Sequence, residues 1–261
     1  EKKTEEPQPP SRFDVKQLVE RLYFPHIQLI NGEIYFAHKK QQLTVSVKRI
    51  NTLLSLSLKD LHVQGNIALE DGEIEYQNRG KIATAISGEL ELKNEALSLS
   101  AFQIMAGRSA VTVNGTLENL RNPTLDVSVL AHLALDELDR YANINQNLSG
   151  LVDFKGTVTG PIPDITARGH LTCSKGTAWK LAFEDIRTDL QYQGNQLAFS
   201  SLEGDILGGH VVGHGQLSFA GPPSYKATLT VDDWNIRNPN VFTPSQIDIA
   251  GNVSGAINVQ G

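Results

Sequence analysis

The amino-acid sequence repeats itself at an offset of about one hundred residues. Residues 86–115, aligned without a gap with residues 186–215, share six identities, and four further positions carry similar residues. After a shift of one residue, the segment 148–160 aligns with 249–261. A unit that recurs in this way stacks on its neighbour and builds a quasi-linear molecule rather than a closed globule. The repeat therefore predicts a long surface instead of the single pocket of a typical enzyme.

Between the repeat signals, apolar and polar residues alternate with a period of two, which is typical of strands that bury one face. Short turn signals separate these runs. They are Asn31-Gly32, Asp71-Gly72, Lys93-Asn94, Gly160-Pro161, Lys175-Gly176, Gly194-Asn195 and Gly221-Pro222-Pro223. Connections this short join antiparallel neighbours, because a parallel crossover needs about a dozen residues or more. Many short strands in this order predict a meander.

A sheet of about 15 or more strands twists and curls rather than lying flat. The predicted fold class is therefore all-β: an elongated, curled antiparallel meander that forms a taco-like groove, with a short N-terminal helix. Four ranges follow along the chain. They are a proline-rich, charged linker (1–12), the short helix (13–24), a first β-groove repeat unit (25–145) and a second, truncated unit (146–261). Leucine and tyrosine spacing predicts a second short helix or a turn over residues 136–141.

Composition and charge exclude several classes of function. The net charge is −6 and no run of Lys and Arg is long enough to follow a phosphate backbone, so we expect no nucleic-acid partner. Cys173 is the single cysteine, which excludes a disulfide framework, and we expect it to be a small buried hydrophobe. No apolar run reaches the ~18–20 residues of a membrane-spanning helix. Since the chain also begins without Met, we expect a membrane anchor to lie outside this sequence.

No arrangement of residues indicates catalysis, and we expect no enzyme activity, no cofactor and no metal. His210 and His214 are four residues apart, but their glycine- and valine-rich surroundings favour a strand over a zinc-binding helix. The acidic segment from Glu70 to Glu75, with Asp71 and Glu73 between them, is interpreted as a hairpin with solvated charges. The candidate site is instead the apolar phase of the strands, which we expect to line a groove. Its residues are Val45, Val47, Val127, Val129, Val152, Phe154, Leu197, Phe199, Leu229 and Val231.

Three segments carry a resemblance to a known family. PHIQLINGEIYF (25–36) resembles the strand opening that recurs in the AsmA and TamB families of Gram-negative bacteria, and NIALEDGEIEY (66–76) echoes it. The segment 115–129, the short helix and then LSGLVDFKGTVTGPIPDITARGHL (148–171) look like the repeating unit of TamB-like translocation and assembly proteins. The resemblance covers roughly residues 13–261 and rests on the order of degenerate glycine and β-branched patterns.

The resemblance implies a location and a task. Proteins of this family are anchored in the inner membrane, extend through the periplasm and form a long β groove of the bridge-like lipid-transfer type. It therefore implies phospholipid as cargo and a BamA-related outer-membrane protein as a partner, with a role in outer-membrane assembly. The alternative is a structural β-sandwich or solenoid, acting as a spacer or adhesin module with a dry core and no lipid cargo. A native mass spectrum would distinguish the two by the presence of bound lipid.

Overall fold

The computed structural model describes residues 26–57, 62–77, 79–178, 180–222, 224–236 and 251–261. Within these ranges fourteen strands form one antiparallel sheet, and their order in the sheet is their order in the sequence. Because β1 and β14 stand at the two ends of this order, the sheet does not close on itself. The all-β, curled antiparallel meander predicted from the sequence is confirmed.

The strands are ten to fifteen residues long, and their alternating sequences explain why each one is extended. Their bounds are β1 (His26–His38), β2 (Leu43–Ser57), β3 (His62–Tyr76), β4 (Lys81–Lys93), β5 (Ala96–Ala106), β6 (Ser109–Glu118), β7 (Thr124–Ala134), β8 (Ser149–Pro161), β9 (Thr166–Ala178), β10 (Leu181–Gln193), β11 (Gln196–Ile206), β12 (Gly209–Ser218), β13 (Ser224–Ile236) and β14 (Gly251–Gln260).

One α-helix, α1 (Leu135–Ala142), interrupts the described part of the meander between β7 and β8. It matches the short helix or turn predicted over 136–141. It ends at Asn143, which takes a left-handed conformation with φ 58°. Two single 3-10 turns cover Lys39–Gln41 and Ile162–Asp164. The predicted linker and N-terminal helix (1–24) lie outside the described residues, and no helix in the described ranges is long and apolar enough to cross a membrane.

Three of the predicted turns were wrong, because the structure continues the strand beyond them. Asn31-Gly32 lies within β1, Asp71-Gly72 within β3 and Lys175-Gly176 within β9. The first two are irregularities in the strand pairing, where Asn31 and Asp71 have φ values of 53° and 51°. A tight hairpin turn and a β-bulge both require a residue with positive φ, so the same dipeptide serves either structure. Local sequence could not separate the two.

The hundred-residue repeat has a direct structural counterpart. Strands β4, β5, β6 and β7 begin at residues 81, 96, 109 and 124, and strands β10 to β13 begin one hundred residues later in each case. The bulge between Leu99 and Phe102 recurs between Phe199 and Leu202. The sheet is continuous across residue 145, since every residue of β7 pairs with a residue of β8.

Candidate functional site

The strand register places all ten predicted groove residues on one face of the sheet. Residues directly opposite each other on antiparallel strands point to the same side. Phe154 lies opposite Ala131 on one neighbouring strand and Leu171 on the other. At the two ends of the series, Val45 lies opposite Phe36 and Ile74, and Val231 opposite Val211 and Gly255. We call this surface the apolar face. It continues without interruption from β1 to β14.

The most deeply buried residues of the apolar face lie on inner strands, from β2 to β13, and the two edge strands β1 and β14 are exposed. Val127 and Val152 are each 6% exposed, whereas Phe36 on β1 is 49% exposed and Ile257 on β14 is 38% exposed. No large side chain in the described residues is fully buried. All described strands belong to a single sheet, so no second sheet covers this face within those ranges. The partial burial therefore comes from the curvature of the sheet and from neighbouring strands.

Phenylalanine rings on the apolar face lie against glycines of the same strand or of an adjacent strand. The Phe154 ring covers Gly156 and Gly169, and a Cβ added at Gly169 would stand 2.5 Å from the ring. Phe199 covers Gly215 in the same manner. A ring that lies along the sheet shields backbone that glycine leaves bare.

The opposite face of the sheet is polar and carries cross-strand contacts between histidine and aspartate side chains. His170 lies 3.1 Å from Asp189, and His210 lies 3.2 Å from Asp205, in both cases between Nδ1 and a carboxylate oxygen. His132 and Asp153 form a similar pair. No group of three or more metal-binding side chains occurs in the described part of the chain. His210 therefore has a structural partner on the neighbouring strand.

The acidic segment of β3 belongs to this polar face. Asp71 lies 2.8 Å from Arg49 and Glu73 lies 3.0 Å from Lys81, and all four side chains are about half exposed or more. The hydrogen bond that Lys81 donates to Glu73 raises the pKa of Lys81. The predicted solvated charges are confirmed. The predicted hairpin is wrong, since Asp71 stands at a bulge inside a continuous strand.

Cys173 is buried on the apolar face, as predicted. Burial raises the pKa of its thiol, because the low-polarity surroundings disfavour the thiolate. The thiol points toward the carbonyl oxygen of Lys175 at 3.6 Å. These surroundings suit a small hydrophobic side chain and not a reactive nucleophile.

Helix α1 lies along one edge of the sheet, where it is tied to two turns that precede it in the chain. The backbone N–H of Arg108, in the β5–β6 turn, donates to Glu137 at 2.9 Å, and the Arg108 guanidinium contacts Asp136. Arg79, in the β3–β4 turn, donates to the carbonyl oxygen of Tyr141 at 2.6 Å. We call this edge, with the turns after β1, β3, β5, β9 and β11, the α1 rim. The turns after β4, β6, β8, β10 and β12 form the opposite rim.

Comparison of the chain with protein-family models, with curated proteins and with solved structures found no match. Over the described residues the chain is a curled single-layer sheet with one apolar face and one polar face.

Proposed function

We propose that this chain is a segment of a periplasmic bridge-like protein that carries phospholipid along its apolar face between the inner and outer membranes. The observation that carries the proposal is the continuous apolar face of fourteen strands without a second protein layer over it in the described residues. Monomeric soluble proteins rarely expose apolar patches larger than a few hundred Å². Acyl chains are a covering of suitable chemistry.

The chemistry of such transport needs no catalytic group. Each methylene that leaves water contributes about 0.8 kcal/mol, so an acyl chain gains several kcal/mol on the apolar face. Val, Leu, Ile and Phe repeat along that face with no acidic or basic side chain among the ten groove residues. A chain therefore meets a similar wall at each strand and slides with little loss of free energy. Headgroups lie at the open edge of the groove, in contact with water.

The proposal follows the resemblance in its cellular setting. It includes an inner-membrane anchor outside this sequence, a periplasmic location, and a BamA-related outer-membrane protein as a docking partner. The alternative of a spacer with a dry β-sandwich core would need a second sheet. The described strands provide one sheet only.

A photo-crosslinking experiment in cells tests the proposal. Crosslinkers at Val129 and Phe199, on the apolar face, are expected to capture phospholipid. Matched crosslinkers at Ser128 and Ser200 occupy the neighbouring positions in the same strands and point to the polar face. They are expected to capture none. Equal labelling of both pairs, or no lipid at Val129 and Phe199, would overturn the proposal.

A further inference from the structure

The two rims of the groove differ in charge. The described turns and helix of the α1 rim carry six basic side chains and three acidic ones. In the described turns of the opposite rim, Glu95 and Asp164 outnumber the one basic side chain, Arg121. The basic side chains of the α1 rim are Lys39, Lys40, Arg79, Arg108, Arg140 and Lys180.

The acidic side chains of the α1 rim are all engaged within the protein. Asp136 and Glu137 contact Arg108. Asp139 accepts a hydrogen bond from the backbone N–H of Gln146 at 2.9 Å. None of the other five basic side chains forms a salt bridge within the described residues. The α1 rim therefore presents uncompensated positive charge to the mouth of the groove.

Two of these cations converge on one residue of α1. Arg79 donates through Nη1 to the carbonyl oxygen of Tyr141 and through Nη2 to the side-chain oxygen of Gln77, each at 2.6 Å. Both acceptors are neutral. The Arg140 guanidinium lies 5.7 Å from the centre of the Tyr141 ring. Two guanidinium groups without a carboxylate partner thus flank the end of α1, and arginine is well suited to bind phosphate oxygens.

We propose that the α1 rim binds the phosphate groups of lipid headgroups, with Arg79 and Arg140 as principal contacts. The inference rests on the proposed function, because it assumes that acyl chains occupy the apolar face. Ile82 lies on that face, three residues after Arg79. Three residues of extended chain span about 10 Å, so the two side chains are within the reach of one lipid molecule. One phospholipid can therefore place its phosphate at the rim and its chains on the wall. Headgroups then travel along one rim only.

A lipid-binding experiment on the purified 261-residue chain tests this. The chain is loaded from detergent with phosphatidylglycerol, or with diacylglycerol of the same acyl chains, and bound lipid is counted by native mass spectrometry. The double variant Arg79→Gln/Arg140→Gln is compared with Arg121→Gln on the opposite rim. A second variant, Lys39→Gln/Lys40→Gln/Lys180→Gln, changes the α1 rim without touching the Tyr141 contacts.

The expected result is a loss of phosphatidylglycerol binding of about tenfold at low salt in the double variant, since two charge-assisted contacts disappear. The lysine variant should lose less, Arg121→Gln should lose nothing, and diacylglycerol binding should be unchanged in all of them. Unchanged diacylglycerol binding also shows that each variant is folded. Equal loss of both lipids, or equal phosphatidylglycerol binding in every variant, would overturn the headgroup assignment.

Two further outcomes separate this inference from the proposed function. If the unmodified chain binds neither lipid, the groove proposal itself fails and the headgroup assignment fails with it. If the chain binds diacylglycerol, but the arginine variants do not change phosphatidylglycerol binding, only the headgroup assignment fails. Glycerophosphoglycerol, which lacks acyl chains, is the remaining probe. Binding of this probe as tight as that of the lipid would make the rim a site for free phosphate esters and contradict a lipid headgroup.

Discussion

Replacement of Phe199 by Asp separates an open groove from a dry core. Phe199 lies on the apolar face in β11, half-buried, with its ring over Gly215. In a dry core the new carboxylate would be buried without a partner, at a cost of several kcal/mol, and the sheet would unfold. In an open groove water reaches the carboxylate, and the loss is limited to the contacts of the ring.

The expected loss follows from the partial burial of the ring. Complete burial of a Phe side chain contributes about 1.5–3 kcal/mol, so removal of a half-buried ring should lower the free energy of unfolding by about 1–2 kcal/mol. For a chain of this size each kcal/mol corresponds to about 2–4 °C in melting temperature. We therefore expect a folded protein that melts about 2–8 °C lower. Bound phospholipid should decrease strongly, because the carboxylate stands where acyl chains would pass.

The assay combines thermal unfolding with native mass spectrometry of co-purified lipid, followed by transfer of fluorescent phospholipid between vesicles. Phe199→Leu is the conservative control, which keeps the wall apolar and should restore lipid binding. Gln191→Asp adds the same charge to the polar face of β10 and should change neither property, because an exposed substitution usually shifts stability by less than about 0.5 kcal/mol. Unfolding of Phe199→Asp, or normal lipid content in a folded Phe199→Asp, would refute the reasoning.

Two other predictions concern backbone strain and the buried thiol. Ser201 has φ 52° at the bulge of β11, so Ser201→Gly should raise the free energy of unfolding by about 0.5–1 kcal/mol in urea denaturation, whereas Ser200→Gly, without a positive φ, should lower it. A lower stability of Ser201→Gly would show that the bulge carries no strain. Burial raises the pKa of Cys173, so its alkylation by iodoacetamide should begin at a higher pH than that of glutathione, and urea should abolish the difference. Equal pH profiles in the folded protein would contradict this.

The fold class could be predicted because it depends on local periodicity. Alternation of apolar and polar residues specified strands with one apolar face, and turns such as Gly194-Asn195 made neighbours antiparallel. The number and length of the strands were harder to predict from the sequence. Residues 61–76 look like three short apolar runs, yet His62–Tyr76 is one strand, because the bulge at Asp71 lets the chain continue where a turn would reverse it.

The face of the sheet that each groove residue occupies could be predicted for the same reason as the fold class. A period of two fixes the side of the sheet once the strand is known, and each bulge resets the phase. The contacts of the α1 rim could not be predicted from the sequence. Arg79 and Tyr141 are 62 residues apart, and their hydrogen bond exists only because the sheet curls and brings two turns to the same helix. No local pattern in the sequence marks such a pair.

Curvature of the sheet is itself a repeated property of the sequence. Ala101 and Ser201 both have positive φ, 47° and 52°, at bulges one hundred residues apart in β5 and β11. A bulge bends its strand and increases the local twist, so bulges at equivalent places bend equivalent strands alike. Each repeat then adds a similarly curved section of wall to the last, and the apolar face stays continuous while the sheet lengthens.

With strands about 4.8 Å apart, fourteen of them extend the wall by roughly 60 Å, which is far longer than a pocket for one small molecule requires. The proposed transport of a long, apolar ligand that moves from one section to the next requires a surface of this kind.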